Sequence, residues 1–494
     1  MAQWTKPNLD GFEFARAVSA IRRRAEKQTK WKRLLDTYVS TDLTIRARTT
    51  DSQLVLGRRG TGKTHMFRFV QETLGSIGEV AYFIDCRTLG SGIIGPKETS
   101  EQIATKYFRS LLNEIGTQML DMAIHMEAPV GNSQQKVLNI IQGLIKYMEP
   151  VSETSLEPTF NYRQITESLQ AIISNLCIDH IFIIIDEWAQ IPVSAQPYVA
   201  EYIKRAIMTI PEICIKLLAV SYQCYPSKQT KEGVIGIQRG ADITDVLDFD
   251  SYLIHDENPK PVTIFFSQVL YNHLGAELNW DLQITAKEKN KRILDIFTQD
   301  KAFTELVRAA EGNCRDFLCI FSRAFWDGYR QHADAKAISI PHISEAAASW
   351  FESEKYVNIR DEELPNASLT YILNNIIKGY KSRTFMVEAS KVQDEALIRL
   401  LNERVIHKLS VSYAHKDRPG ERYELFSLDY GAYVRFAGTV NEPNPANLPL
   451  QPQLPFEGVV KVQEDEQQFI VPLDDKRSIR RIVFDPNAVK ITKW

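Results

Sequence analysis

The sequence predicts an α/β fold, in which a parallel sheet with flanking helices is followed by a helical region, a winged helix and a small β-rich C-terminal appendage. Three observations predict it. Compact apolar runs, short enough for buried strands, end at about residues 56, 84, 185 and 220. Segments with helical periodicity separate these runs. Further helical segments then close on two strand-like runs at about 405–428, which is typical of a winged helix.

Composition places the chain among ordinary proteins with sizeable cores. Its 494 residues are 44% hydrophobic, which predicts about two to four domains. Lys+Arg 59 against Asp+Glu 62 gives a net charge of −3, so a nucleic-acid surface would have to be a local patch. The six scattered cysteines exclude a zinc cluster and a disulfide scaffold, and we expect them to be reduced. No apolar run approaches the roughly 18 residues of a membrane helix, so the expected location is the cytoplasm.

The first chemical motif lies between the apolar run Leu54–Leu56 and an amphipathic segment. Gly57 to Thr64 has the pattern G-x-x-x-x-G-K-[ST] of a phosphate loop, in which backbone N–H groups and a helix N-terminus meet phosphate oxygens. We expect Lys63 to reach the β- and γ-phosphates of ATP and Thr64 to offer its hydroxyl to Mg²⁺. The residues predicted to bind ATP here are Gly57, Arg58, Arg59, Gly60, Thr61, Gly62, Lys63, Thr64 and His65.

A long stretch separates the second apolar run, Val80–Asp85, from the third. Periodicity predicts helices within it at about 98–126, 134–148 and 162–177. Because an ordinary crossover is far shorter, we interpret residues of about 90–160 as a helical insertion on the nucleotide domain.

The second chemical motif follows the apolar run Ile181–Ile185. Asp186 and Glu187 would emerge at the carboxyl end of a central strand, where parallel sheets bind ligands. We assign Asp186 to the metal and Glu187 to the attacking water as general base. The alternative is a pair of carboxylates that begins a helix.

Three further residues are candidates by position. Ser221 ends the run Ile213–Val220 and would act as a sensor of hydrolysis, or would only terminate a strand. Arg239 stands in a glycine-flanked loop before a probable strand at 246–252, where it would reach the γ-phosphate of a neighbouring subunit or form a loop salt bridge. Arg205 is the second candidate for that arginine. Arg315 lies on the first turn of a helix. It either belongs to a lid whose position is coupled to the bound phosphate or is a solvated residue at a helix start.

Basic residues cluster at two other places. Residues 11–40 look helical and carry a basic cluster, which is a solvated face or a contact to nucleic acid or to a neighbouring subunit's nucleotide. At the winged helix, DNA and protein contact remain open, because glutamates interleave with the basic residues. The N-terminal cluster comprises Arg22, Arg23, Arg24, Lys27, Lys30, Lys32 and Arg33. The residues expected to contact double-stranded DNA are Arg399 and Arg404 on the recognition helix and Lys416, Arg418 and Arg422 in the wing, beside His415.

Composition also predicts the end of the chain. Five prolines between residues 441 and 455 indicate a linker. The short strand-like runs at about 459–462, 469–473 and 482–484 predict a β-structured appendage that serves as a docking element. The predicted domains are an N-terminal helical basic segment at 1–50, a nucleotide-binding core at 51–260, a helical lid at 261–335, a winged helix at 340–440, a linker at 441–456 and the appendage at 457–494.

The order of these motifs resembles that of the AAA+ ATPases, and the chain looks like a bacterial member of their origin-recognition initiator clade. The resemblance spans about residues 35–435. It is carried by Gly57–His65, Ile185–Pro192, Gln196–Tyr198, Lys216–Ser221, Gly240–Ile243 and Gly312–Asp316. It implies a Mg²⁺-dependent ATPase that assembles into a homo-oligomer and acts as a switch. It also implies Arg315 as the second sensor and Arg239 as the arginine that acts in trans.

Two features depart from that family's pattern, namely the helical insertion and the C-terminal appendage. Relatives of this bacterial type are often found in mobile-element and phage-defence loci. The leading hypothesis is therefore the ATPase component of an antiviral defence system, which controls a partner effector encoded nearby. The alternative is a DNA-binding initiator of replication or transposition.

Overall fold

The computed structural model describes residues 7–9, 11–21, 31–74, 78–90, 98–125, 132–148, 160–255, 258–331, 337–377, 382–414, 420–437 and 482–489. Contacts within the chain divide it into two compact units. We call Ser40–Arg59 with Lys63–Asp248 the sheet unit, and Met1–Val39, Gly60–Gly62 and Phe249–Trp494 the helical unit. None of the described helices is long and apolar enough to cross a membrane.

The sheet unit contains a five-stranded parallel sheet. Its strands are β1 (Gln53–Leu56), β2 (Glu79–Asp85), β3 (His180–Asp186), β4 (Ile213–Ala219) and β7 (Asp245–Asp248), in the order β2-β3-β4-β1-β7. An antiparallel hairpin, β5 (Ser227–Thr230) and β6 (Gly233–Gly236), is separate from this sheet. The predicted α/β class with a parallel sheet is thus confirmed. The hairpin was not predicted, and β7 is shorter than the expected strand because Phe249–Tyr252 is helical.

Burial explains why these runs form strands. The five apolar residues of β3 from Ile181 to Ile185 are completely buried, since helices cover the sheet. The helices of this unit are α3 (Asp42–Ala47), α4 (Lys63–Thr73), α5 (Ser100–His125), α6 (Asn132–Met148), α7 (Tyr162–Leu176) and α8 (Gln196–Ala206). The predicted helices between the second and third strands correspond to α5, α6 and α7, with ends within two residues of the prediction.

The helical unit has its own apolar core, to which the first N-terminal helix contributes Phe14, Ala17 and Val18. Its helices are α1 (Phe12–Ala20), α2 (Trp31–Thr37), α9 (Phe249–Tyr252), α10 (Pro259–Leu278), α11 (Ala286–Leu294), α12 (Asp300–Ala309), α13 (Cys314–Gln331) and α14 (Ile340–Glu354). Of the N-terminal basic cluster, residues 22–30 lie outside the described residues. Arg33 forms an ion pair with Glu277 and donates to the carbonyl oxygen of Ala20. This member of the basic cluster therefore joins elements of the helical unit to one another.

The winged helix comes next in the helical unit. Its elements are α15 (Glu363–Tyr371), a π-helical turn (Ile372–Ile377), β8 (Thr384–Glu388), α16 (Glu395–Asn402), β9 (Ile406–Ala414), β10 (Arg422–Leu428) and α17 (Tyr430–Ala437). The strands form an antiparallel sheet in the order β8-β10-β9. The hairpin β9–β10 and the helices before it match the prediction, whereas β8 was not predicted.

A described piece of the C-terminal appendage, residues 482–489, pairs with this sheet. Val483 forms a parallel bridge to Met386 of β8. The strand-like runs predicted at 459–462 and 469–473 lie outside the described residues.

All six cysteines are free thiols, as the scattered spacing predicted. Four of them, Cys86, Cys214, Cys224 and Cys319, are buried.

A buried network of charges ties the start of α13 to the winged helix. The ammonium of Lys355 contacts the carboxylates of Asp316 at 3.0 Å and Asp429 at 2.7 Å, with all three side chains at most 2% exposed. Arg404 donates to Asp316 at 3.2 Å, and His407 bonds to Asp429 at 2.8 Å. Although burial alone would raise the pKa of both carboxyls, their positive neighbours hold each pKa below its usual value.

We predict that Lys355→Met lowers the free energy of unfolding by about 3–5 kcal/mol at neutral pH, because two buried carboxylates lose their shared cation. Folded-state pKa values below the unfolded value of about 3.9 stabilise the wild type above that pH, and this contribution is lost as pH falls through the folded values. The cost of the substitution should therefore shrink as pH approaches about 4, where the variant's carboxyls protonate. Urea denaturation across pH measures it.

Lys287→Met, on the exposed face of α11, is the matched control and should change stability by about 0.5 kcal/mol or less. Equal effects of the two substitutions would contradict the stabilising role of the network.

Candidate nucleotide-binding site

The phosphate loop has the local geometry that its sequence predicts. Strand β1 ends at Leu56, helix α4 begins at Lys63, and the loop between them turns through Gly60 at φ +96° and Gly62 at φ +104°. Residues other than glycine rarely adopt such positive φ angles, so both positions favour glycine. The first turn of α4 carries no acidic residue, which leaves its positive dipole end available to an anion.

Gly60 is required for a second reason. A Cβ atom on it would lie 2.5 Å from Oδ1 of Asn313 and 2.8 Å from Cβ of Arg315. The backbone N–H of Arg315 donates to the carbonyl oxygen of Gly60 at 3.1 Å. Oδ1 of Asn313 accepts from the N–H groups of Arg315 and Asp316, which caps the start of α13. Gly60 and the first turn of α13 are therefore in close backbone contact within the helical unit.

Lys63 turns its ammonium onto the loop itself. Its side chain is 8% exposed, and Nζ donates to the carbonyl oxygens of Gly57 and Arg58. This position at the N-terminus of α4 is the one from which a phosphate-loop lysine meets phosphate oxygens. The other predicted loop residues occupy the same turn: Arg58 and Thr61 are buried, Arg59 is exposed and His65 lies in the first turn of α4.

Thr64 and Asp186 are in direct contact. The hydroxyl of Thr64 donates to Oδ2 of Asp186 at 2.7 Å, and Oδ1 of Asp186 accepts from the backbone N–H of Glu187 at 2.8 Å. Asp186 is 4% exposed, and burial raises its pKa against the opposing effects of Thr64 and Lys63. A cation at this carboxylate would favour its charged form.

The donor set fits Mg²⁺. A hydroxyl and a carboxylate are hard oxygen ligands, and Mg²⁺ usually takes only one or two carboxylates together with phosphates and waters. Across the described ranges, no cluster of three Asp, Glu, His or Cys side chains forms a metal site. A magnesium ion here would thus be held by Thr64, Asp186 and the phosphates of a nucleotide.

Glu187 has a strained backbone. Its φ is +55°, a left-handed conformation that costs a non-glycine residue about 1 kcal/mol or more. The conformation joins the end of β3 to a short 3₁₀ turn, in which the N–H of Gln190 donates to the carbonyl oxygen of Glu187 at 2.9 Å.

A buried glutamine fixes the segments that follow β3 and β4. Oε1 of Gln196 accepts from the indole N–H of Trp188 at 3.0 Å and from the backbone N–H of Tyr225 at 2.8 Å. Its amide nitrogen donates to the carbonyl oxygens of Ile191 and Gln223. This role of Gln196 was not predicted from the sequence, because all its partners but Ile191 are eight or more residues away.

Ser221 lies two residues beyond the end of β4. Because β4 stands between β3 and β1, and the N–H of Gly57 donates to the carbonyl oxygen of Ala219, this strand end adjoins the phosphate loop. Its sensor role stays a prediction.

Arg239 is exposed on a turn that side chains hold in place. The carboxylate of Asp242 accepts from the backbone N–H of Gln238 at 2.8 Å and from Lys204 at 2.7 Å. The guanidinium of Arg205, the second candidate for a trans arginine, lies 4.4 Å from the centre of the Tyr162 ring. Neither contact tests whether the arginine acts on a neighbouring subunit, so the trans roles of Arg239 and Arg205 remain predictions.

The arginines predicted to contact DNA have partners within the chain. Arg404 follows α16, so the prediction that it lies on the recognition helix is wrong. Its guanidinium contacts the buried carboxylate of Asp316, and its contact with DNA stays a prediction. Arg399 is on α16 but contacts Glu362 and Glu403. Arg422 is exposed at the start of β10, while His415, Lys416 and Arg418 lie outside the described residues.

Comparisons with known proteins give distant structural likenesses only. No family model and no curated protein sequence matches this chain. Among solved structures, it is similar to Cdc6p from Pyrobaculum aerophilum (TM-score 0.33, 12% identity, 84% of this chain and 93% of that chain). It is also similar to the Aeropyrum pernix Orc1 protein in complex with DNA (0.32, 13%, 84% and 93%) and to Drosophila ORC bound to DNA (0.30, 12%, 88% and 94%).

We predict that Gly60→Ala lowers stability by about 1–3 kcal/mol and weakens nucleotide binding, because the new methyl group meets Asn313 at a positive φ. Thermal unfolding and ATP titration measure the two effects. Gly143→Ala is the matched control, since a Cβ atom there meets nothing within 4 Å. Because Gly143 lies inside α6, this substitution should raise the free energy of unfolding by about 0.5–1 kcal/mol. Similar responses at both glycines would refute the close packing of Gly60.

Proposed function

We propose that the chain binds Mg·ATP and hydrolyses it to ADP and phosphate. The observation that carries this proposal is the contact between the hydroxyl of Thr64 and the carboxylate of Asp186, beside Lys63 at the N-terminus of α4. A phosphate loop without a metal-binding carboxylate would support nucleotide binding alone. Here the carboxylate lies at the strand end where parallel sheets bind ligands.

Each residue has a defined role in this proposal. Lys63 and the loop N–H groups orient the phosphates, and Thr64 and Asp186 hold the ion. Bound Mg²⁺ would neutralise charge on the phosphate oxygens. Glu187 orients the attacking water and accepts its proton. Ser221 senses the γ-phosphate from the end of β4, and Arg315 acts as second sensor.

We predict that Lys63→Ala abolishes ATP binding, because the phosphates lose their main cation. Glu187→Gln should keep Mg·ATP binding and lose turnover by about 10² or more, since only the base is removed. Calorimetric titration and phosphate release separate the two. Glu212→Gln, just before β4 at the amino end of the strand, is the control and should retain normal turnover. Unchanged affinity in Lys63→Ala would overturn the site, and normal hydrolysis in Glu187→Gln would leave Glu187 a structural residue.

We also propose that the chain acts as a homo-oligomer in which Arg239 reaches a neighbour's γ-phosphate. Its exposure on a turn fixed by Asp242 supports this role. Arg239→Ala should keep ATP binding and lose turnover by about 10³ or more. Mixing it with Lys63→Ala should restore some activity, because some interfaces then pair an intact site with an intact arginine. A mixture that co-assembles by light scattering but stays inactive would exclude Arg239 and favour Arg205.

For the cellular role, we propose a switch that controls a partner effector protein, as in antiviral defence systems, rather than a DNA-binding initiator. The intramolecular ion pairs of Arg399 and Arg404 disfavour the initiator, because they engage the two basic residues expected to contact DNA from the recognition helix.

We predict that replacing Lys416, Arg418 and Arg422 together by alanine leaves the salt dependence of any DNA binding unchanged. Phosphate contacts by these residues would instead lower the slope of log affinity against log salt by up to about three charges. Fluorescence anisotropy with a duplex, measured at several salt concentrations, distinguishes the outcomes. A flatter slope in the triple variant would favour the initiator hypothesis.

A further inference from the structure

The C-terminal segment Ile482–Asp485 pairs with strand β8 along the edge that faces away from β10. β8 stands at the edge of the sheet order β8-β10-β9. On its other side, the backbone N–H of Met386 donates to the carbonyl oxygen of Ile482 and the N–H of Phe484 donates to the carbonyl oxygen of Met386, both at 2.8 Å. An edge strand offers such groups to any extended peptide that can pair with it.

Two side chains anchor the segment. Ile482 and Phe484 are 2% and 1% exposed, whereas Val483 between them is 37% exposed. The ring of Phe484 packs against those of Phe385 and Tyr371, with centres 5.8 Å apart in both pairs. This alternation is the way a strand-like ligand uses pockets on one face.

A charge completes the recognition. The carboxylate of Asp485 accepts from the ammonium of Lys391 at 2.9 Å and from the backbone N–H of Asn487 at 3.0 Å. The second bond begins a short 3₁₀ turn, at which the pairing with β8 has ended. The site therefore fits an extended segment with the pattern apolar, any residue, apolar, acidic.

The chain length allows this segment to reach another copy. Residues 438–481 separate it from α17, and fully extended they would span up to about 150 Å. Each copy carries both the site and its ligand. We propose that the outer edge of β8, which the chain's own Ile482–Asp485 occupies in this structure, is a peptide-binding site for the same segment of a second copy. This does not depend on the nucleotide chemistry.

A labelled peptide of residues 478–490 tests the site on the full-length chain. The variant Ile482→Asp with Phe484→Asp releases its own segment, and we expect it to bind the peptide at least tenfold more tightly than the wild type, whose site is filled. Val483→Asp makes the same chemical change at the exposed position and should behave like the wild type. Fluorescence anisotropy measures the affinities. Equal affinities in all three proteins, or no binding by the released variant, would overturn the site.

Recognition of Asp485 is tested by reversing charges. Lys391→Glu in the released variant should weaken binding of the natural peptide, and a peptide with Asp485→Lys should restore it. The absence of rescue would remove Lys391 from the site.

Exchange between copies needs a separate measurement. A donor chain with Tyr371→Ala and Lys391→Glu keeps the segment but has a weakened site, and the released variant keeps the site without the segment. We expect their mixture to form a complex in sedimentation velocity that excess peptide dissolves. Peptide binding without such a complex would exclude the second copy as occupant.

Discussion

The candidate site depends on the parallel alignment of β1, β3 and β4. Parallel strands bring their carboxyl ends to one edge of the sheet, and the order β3-β4-β1 places the end of β4 between the phosphate loop and the acidic strand end. Thr64 and Asp186 are 122 residues apart in the chain and meet at 2.7 Å because of this alignment. The apolar runs that hold the strands in the core are therefore as much a part of the site as its polar side chains. A shift in the register of β3 by one residue would turn Asp186 to the other face.

Local chemistry was predictable from the sequence, whereas partnerships across the fold were not. The glycine turn before Lys63 and the carboxylates after Ile185 are signals contained within a few residues, and the structure places them as expected. Gln196 has no such signal, since its role arises only when the ends of β3 and β4 come together. Strand β8 escaped prediction because its apolar run, Phe385–Val387, has only three residues, and no recognisable motif adjoins it as the glycine-rich loop adjoins β1.

Charge in a sequence does not reveal burial, and Arg404 shows why. A basic residue near a predicted recognition helix favours DNA contact until its partner is known, and that partner, Asp316, lies 88 residues earlier. Within the folded chain, the same arginine becomes part of an internal network with Lys355. Taking these charges out of water is costly, so they persist only because each is paired. A search for nucleic-acid surfaces by counting basic residues therefore overestimates the surface that a partner can touch.

The first turn of α13 is the point at which several constraints meet. The N–H of Arg315 is bonded to the carbonyl oxygen of Gly60, while the next residue, Asp316, is held by Lys355 and Arg404. Asn313 caps the same turn and leaves no room for a side chain on Gly60. Moving this turn relative to the winged helix would separate buried charges, which costs several kcal/mol. The next residue, Asp316, is buried, so its carboxylate cannot exchange Lys355 and Arg404 for water. The backbone position of Arg315 is thus coupled to that of the winged helix by ion pairs rather than by apolar contact alone.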